Sequence, residues 1–109
     1  MAYSNVTLTL LRIHKEKALE IIEQVEGEAP YDEWDDEQNC CSLEFETVKN
    51  GDLNSLPHLL NAGIPFISAW ESAGEYGAGT DYGWFTKDGD QQTKRVYEED
   101  HPPRLNTTD

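Results

Sequence analysis

The residues with the most chemistry to offer lie together between positions 26 and 37. Seven of these twelve are carboxylates (Glu26, Glu28, Asp32, Glu33, Asp35, Asp36 and Glu37), and Tyr31 and Trp34 stand among them. Carboxylates close together on a surface imitate a row of phosphates, and interleaved rings imitate bases or fill pockets. A basic groove built for nucleic acid is drawn to such a surface at long range. Trp and Tyr are also the usual anchors of an interface. The plainer reading of the same residues is a solvated acidic loop whose Trp34 folds back over the core.

Other chemistry finds less material. A hard cation wants roughly six to eight oxygen ligands at set spacings, and the D-x-[DN]-x-[DN]-G pattern is missing. Asp88-Gly89-Asp90 reads better as a hairpin turn. His14, His58 and His101 are scattered, which does not suit zinc. Cys40 and Cys41 are adjacent, so in a strand they point to opposite faces and neither pair nor share an ion. No metal or cofactor is expected.

Nucleophile elbows, zincin helices and phosphate loops are lacking. Gly74 to Gly79 is glycine-rich, but a stretch with Tyr82, Trp84 and Phe85 follows it instead of a helix N-terminus. We read it as a place where backbones approach closely. Glu44 and Glu46 are the carboxylate pair closest to glycosidic chemistry, on a chain small for a sugar cleft. The reading is a protein that is not an enzyme.

The elements that must carry the acids follow from periodicity. Val6, Leu8 and Leu10 alternate with Thr7 and Thr9, which predicts a strand over 6–13. Ala18, Leu19, Ile22 and Val25 recur at helical spacing, so a helix spans about 15–26 and stops at Gly27. Its charges run against its dipole, with Lys15 and Lys17 first and Glu23 and Glu26 last. The acidic segment with Pro30 is read as a loop or irregular turn. Cys41, Leu43 and Phe45 predict a half-buried strand over 40–48.

A second short helix is expected over 55–62, with Ser55 or Asp52 as N-cap and Pro57 in its first turn. Residues 64–72 look like a central strand. Strands at about 80–87 and 91–98 meet across Asp88-Gly89. Trp70, Tyr76, Tyr82, Trp84 and Tyr97 gather in these last strands, half as core and half as an exposed patch. The order β-α-β-α-β-β-β predicts an α+β domain over 1–101: one mostly antiparallel sheet with both helices on one face. A ferredoxin-like arrangement is the related alternative, and 102–109 is expected to be a flexible tail.

Charge sets the partners. The 109 residues hold 8 Lys+Arg against 22 Asp+Glu, a net −14 at pH 7. Solubility needs only roughly 2–8 units. Such a surface repels phosphate backbones and anionic headgroups, so neither nucleic acid nor membrane is the direct partner. With 3 Trp, 5 Tyr and 3 Phe the chain is too aromatic for a disordered acidic tail. After Met1 come Ala2, Tyr3, Ser4 and Asn5, with no basic leader and later no membrane-length apolar run, so the expected compartment is the cytoplasm.

In size, charge and the segment Tyr31 to Glu37 the chain resembles the small acidic accessory proteins of phages and plasmids, such as anti-restriction and anti-CRISPR inhibitors. That resemblance implies an inhibitor that occupies a nucleic-acid site, and the acidic face itself points the same way, to a stoichiometric protein that covers a basic surface as a nucleic-acid mimic. Its expected contact residues are Glu28, Asp32, Glu33, Asp35, Asp36 and Glu37 for the field and Tyr31 and Trp34 for anchoring. Glu20, Glu23 and Glu26 extend the field along the helix. The alternatives are a toxin-neutralising immunity protein and a small ligand-binding or catalytic domain. The small basic group at Lys87, Lys94 and Arg95 also permits contact between two copies, a homodimer.

Overall fold

The computed structural model describes residues 3–36, 38–72 and 77–98. Six strands form a single antiparallel sheet: β1 (Tyr3–Leu11), β2 (Asp32–Asp35), β3 (Cys40–Lys49), β4 (Phe66–Trp70), β5 (Gly79–Phe85) and β6 (Gln91–Tyr97). Helices α1 (Lys15–Glu26) and α2 (Leu56–Asn61) complete the α+β fold, and a 3₁₀ turn over Arg12–His14 leads into α1. The strands lie in the order β2-β3-β1-β4-β5-β6.

The sheet is amphipathic because its strands alternate. Val6, Leu8 and Leu10 of β1 are buried, as are Cys41, Leu43 and Phe45 of β3 and Phe66 and Trp70 of β4. These residues share one core with Ala18 and Ile22 of α1 and Leu56, Leu59 and Leu60 of α2, so both helices cover the same face. Gly27 closes α1 in the left-handed conformation.

The main correction concerns the acidic segment. It is not a loop: Asp32–Asp35 is an edge strand, paired antiparallel with β3 from Asp32↔Glu44 to Asp35↔Cys41. Two strands therefore separate the helices, where the sequence suggested one. The first four strands and two helices follow β-α-β-β-α-β in the order 2-3-1-4, the ferredoxin-like split βαβ arrangement. The β5–β6 hairpin extends that unit beyond β4. Asp and Glu are poor strand formers, but the turn after β2 overrides this. Asp36 Oδ1 accepts the N–H groups of Gln38 (2.8 Å) and Cys40 (3.0 Å), and Asn39 takes φ +63°.

Helix α2 begins as expected, with Ser55 at its N-cap and Pro57 in its first turn, but the Ser55 side chain makes no capping bond, because its hydroxyl points to Glu26. A bulge also interrupts β3: between the pairs Ser4↔Val48 and Val6↔Phe45, one residue of β1 (Asn5) stands opposite two of β3 (Glu46 and Thr47), with Thr47 at φ +50°.

The hairpin extension is packed by large residues spreading over small ones. Phe66 lies against Gly83, and Trp70 against Gly51 and Gly79. A Cβ on Gly83 would come within 2.4 Å of Phe66, and one on Gly79 within 2.3 Å of Trp70. The sequence expectation of close approach around the glycine cluster holds at Gly79. Residues 73–76 of that cluster lie outside the described residues, with Gly74 and Tyr76 among them, as do Glu37 and the expected tail.

Candidate functional site

Strand β2 divides the acidic segment between the two faces of the sheet. On the helix side, Glu33 and Asp35 face the start of α1, where Lys15 Nζ lies 2.8 Å from Glu33 and 3.4 Å from Asp35. The hydrogen bond from Glu33 raises the Lys15 pKa above its ordinary value, and Asp35 adds to it. The lysine that opposes the helix dipole is thereby compensated. On the other side, Asp32 stands opposite Glu44 and Trp34 opposite Ser42.

Several acids proposed for a partner have internal work. Glu26 Oε2 accepts from the N–H (2.8 Å) and the hydroxyl (2.6 Å) of Ser55. Asp36 holds the β2–β3 turn. Glu20, Glu23 and Glu28 are exposed. Tyr31 is exposed, and its hydroxyl pKa is raised first by desolvation and then by the negative charges of Glu44, Glu46, Asp32 and Glu71. Glu44, Glu46 and Glu71 therefore join Asp32 in the negative field at this ring, beyond the bounds the sequence suggested.

The sheet face away from the helices has no covering layer among the described residues. One row of side chains crosses all six strands in register: Trp34, Ser42, Thr9, Ile67, Tyr82 and Lys94. At about 4.8 Å per strand the row is roughly 24 Å long. Trp34 is 45% exposed, Ile67 44%, Tyr82 38% and Trp84 41%, which is a large apolar display for a face without a cover. A shallow groove of about 370 Å³ runs along it between Cys40, Ile67 and Trp84. The neighbouring row is more polar, with Asp32, Glu44 and Thr7, and the Thr7 hydroxyl donates to Glu44 at 2.6 Å.

Sequence reasoning expected half of the C-terminal aromatics to be exposed without saying which; of the described ones Trp70 is buried, and Tyr82, Trp84 and Tyr97 are exposed. The same reasoning missed Ile67, which period-two alternation with buried Phe66 and Ser68 would have turned outward. The basic cluster expected at Lys87, Lys94 and Arg95 is reduced, because Arg95 is engaged. Its guanidinium donates to both carboxylate oxygens of Asp81 (2.7 and 2.8 Å) and to Asp52, and lies 4.7 Å from the Trp70 ring centre. Asp81 above all pushes its pKa further up.

A second cleft of about 460 Å³ separates α2 from the hairpin, over Leu56, Leu60 and Phe66. Four of its polar groups occupy one another: Asp81 is bonded by Arg95, and Asn61 Oδ1 by the Gln91 amide at 3.0 Å. Among the described residues no three His, Cys, Asp or Glu side chains gather as a metal site. Cys40 and Cys41 are both free thiols, and burial pushes the Cys41 thiol pKa up. Among the described residues no helix is long and apolar enough to cross a membrane. Comparison with protein-family models, with curated proteins and with solved structures gives no match.

Proposed function

We propose that the chain is a non-enzymatic acidic binding protein that covers a basic, nucleic-acid-binding surface of another protein, with mimicry of nucleic acid as its means. One observation carries the reading. The acids around Tyr31 and along β2 outnumber their basic neighbours, with Lys15 alone paired to that strand among the described residues. Aromatic Trp34 and Tyr31 stand exposed within the same field. Such a surface attracts a basic partner from a distance and holds it by ring contacts at close range.

The test uses capture from a lysate of the source cells. Basic nucleic-acid-binding proteins should be retained at low salt, released at high salt, and displaced by added duplex DNA. Neutralising Glu28 and Asp32 together to the amides should weaken capture far more than Glu98→Gln with Asp88→Asn. Equal effects, or no capture at low salt, would sink the proposal.

A further inference from the structure

Resting on that reading, we propose that the contact surface for the basic partner is the uncovered sheet face, with Ile67 and Tyr82 at its centre and Trp34 and Trp84 at its sides. The partner element has apolar side chains set between arginines or lysines.

Three observations bear on this. First, β4 is an interior strand of the sheet, and an interior strand that turns an isoleucine and its aromatic neighbours to solvent leaves an apolar area without a layer of its own. Second, charge selects the occupant. Asp32 and Glu44 stand in the next row, at one end of the face. Lys94 is the row's cation at the opposite end. An element that places an apolar residue over Ile67 brings flanking cations towards Asp32 and Glu44 and over the faces of Trp34 or Tyr82, where cations are attracted to the rings.

Third, a second copy is the poorer occupant. Two copies bring −14 against −14, and a net charge of that size keeps chains apart. Nucleic acid is repelled for the same reason, although its bases would stack on these rings. The face is therefore suited to apolar and cationic chemistry together, and the acidic α1 end need not touch the partner at all.

The experiment titrates the ¹⁵N-labelled full chain with two probes: poly-L-lysine, and a peptide alternating Arg and Leu. The alternating peptide should shift the amides of Thr9, Ser42, Ile67 and Tyr82, change the tryptophan emission, and bind at least about tenfold more tightly per charge than poly-lysine. A variant with Ile67→Thr, Tyr82→Thr and Trp84→Thr should lose that advantage while still binding poly-lysine, and its melting curve checks that it folds. Shifts confined to α1 and β2, or equal affinities for both probes, would overturn this surface and leave the acidic reading standing. No binding of either probe at low salt would overturn the acidic reading itself. Concentration-dependent shifts at Ile67 and Tyr82 without any probe would assign the face to a second copy and overturn the proposal.

Discussion

Glu26, the last residue of α1, holds Ser55, the residue before α2, through both its N–H and its hydroxyl. One carboxylate oxygen thus links the end of one helix to the start of the other, and satisfies both the N–H and the hydroxyl of the N-cap residue. Ser55 is fully buried, so the bond has little competition from water. Glu26→Ala should destabilise the fold by about 2 kcal/mol, since bonds to a charged acceptor are the stronger kind. Glu28→Ala, on an exposed neighbour, should change stability by less than about 0.5 kcal/mol. Urea unfolding of the two variants decides; similar midpoints would remove Glu26 from this role.

Arg95 ties the hairpin to the body of the protein through Asp52 and the Trp70 ring, and is itself held in place by Asp81 and Tyr97 of the hairpin. Arg95→Met should cost about 1–2 kcal/mol after allowance for its partial exposure. Arg95→Lys should recover only part of this, because an ammonium cannot bond both oxygens of Asp81 in a fork and reach Asp52 as well. Full recovery by lysine in thermal unfolding would show that charge alone matters here.

Gly83 is read as room made for Phe66. Gly83→Ala places a Cβ within 2.4 Å of that ring, and overpacking of this kind typically costs about 1–3 kcal/mol. The double variant Gly83→Ala with Phe66→Leu should be less destabilised than the sum of its parts, measured by a double-mutant cycle.

Stability should fall as the pH rises past about 10. Lys15 has its pKa raised from 10.5, chiefly by the Glu33 hydrogen bond, so its contribution is complete below that value and disappears as the folded-state lysine loses its proton. Tyr31 has its pKa raised from 10.0, chiefly by desolvation, so the folded form resists the phenolate and is penalised once the unfolded chain can ionise. Both signs agree. Tyr31→Phe should flatten the alkaline decline in melting temperature, and Lys15→Met should lower stability at neutral pH while also flattening it. An unchanged alkaline slope in both would contradict the assignment.

The two thiols should react at different rates. Cys41 is fully buried and its pKa is raised by burial, so it should resist a thiol reagent in the folded protein. Cys40 is half-buried at the edge of the groove on the open face. Labelling should show one fast and one slow thiol, with Cys40→Ser abolishing the fast phase.

Much of the fold is legible in the sequence where a period is clean. The alternation of Val6, Leu8 and Leu10 and the helical spacing of Ala18 and Ile22 both lead to buried residues in the expected elements. The segment Asp32–Asp35 hides its strand because its side chains argue against one. The decisive signals are local and easily passed over: an Asp that folds the turn at 36 and an Asn able to take positive φ at 39. For the candidate site, the sequence locates the acids but not their division between two faces, since that depends on register with β3. Ser55 looks like a helix cap, and only the arrival of Glu26 from a distant part of the chain redirects its hydroxyl.

The hairpin β5–β6 lies beyond the strand order of the helix-backed unit, and is held to it by the ladder with β4, by the packing of Phe66 and Trp70 on its glycines, and by Arg95 and Gln91. Such an arrangement should give two cooperative units of unequal stability out of one sheet. On that expectation the amides of the hairpin exchange with solvent ahead of those of β1, β3 and the helices. The seam between β4 and β5 would then be the line along which the sheet opens first.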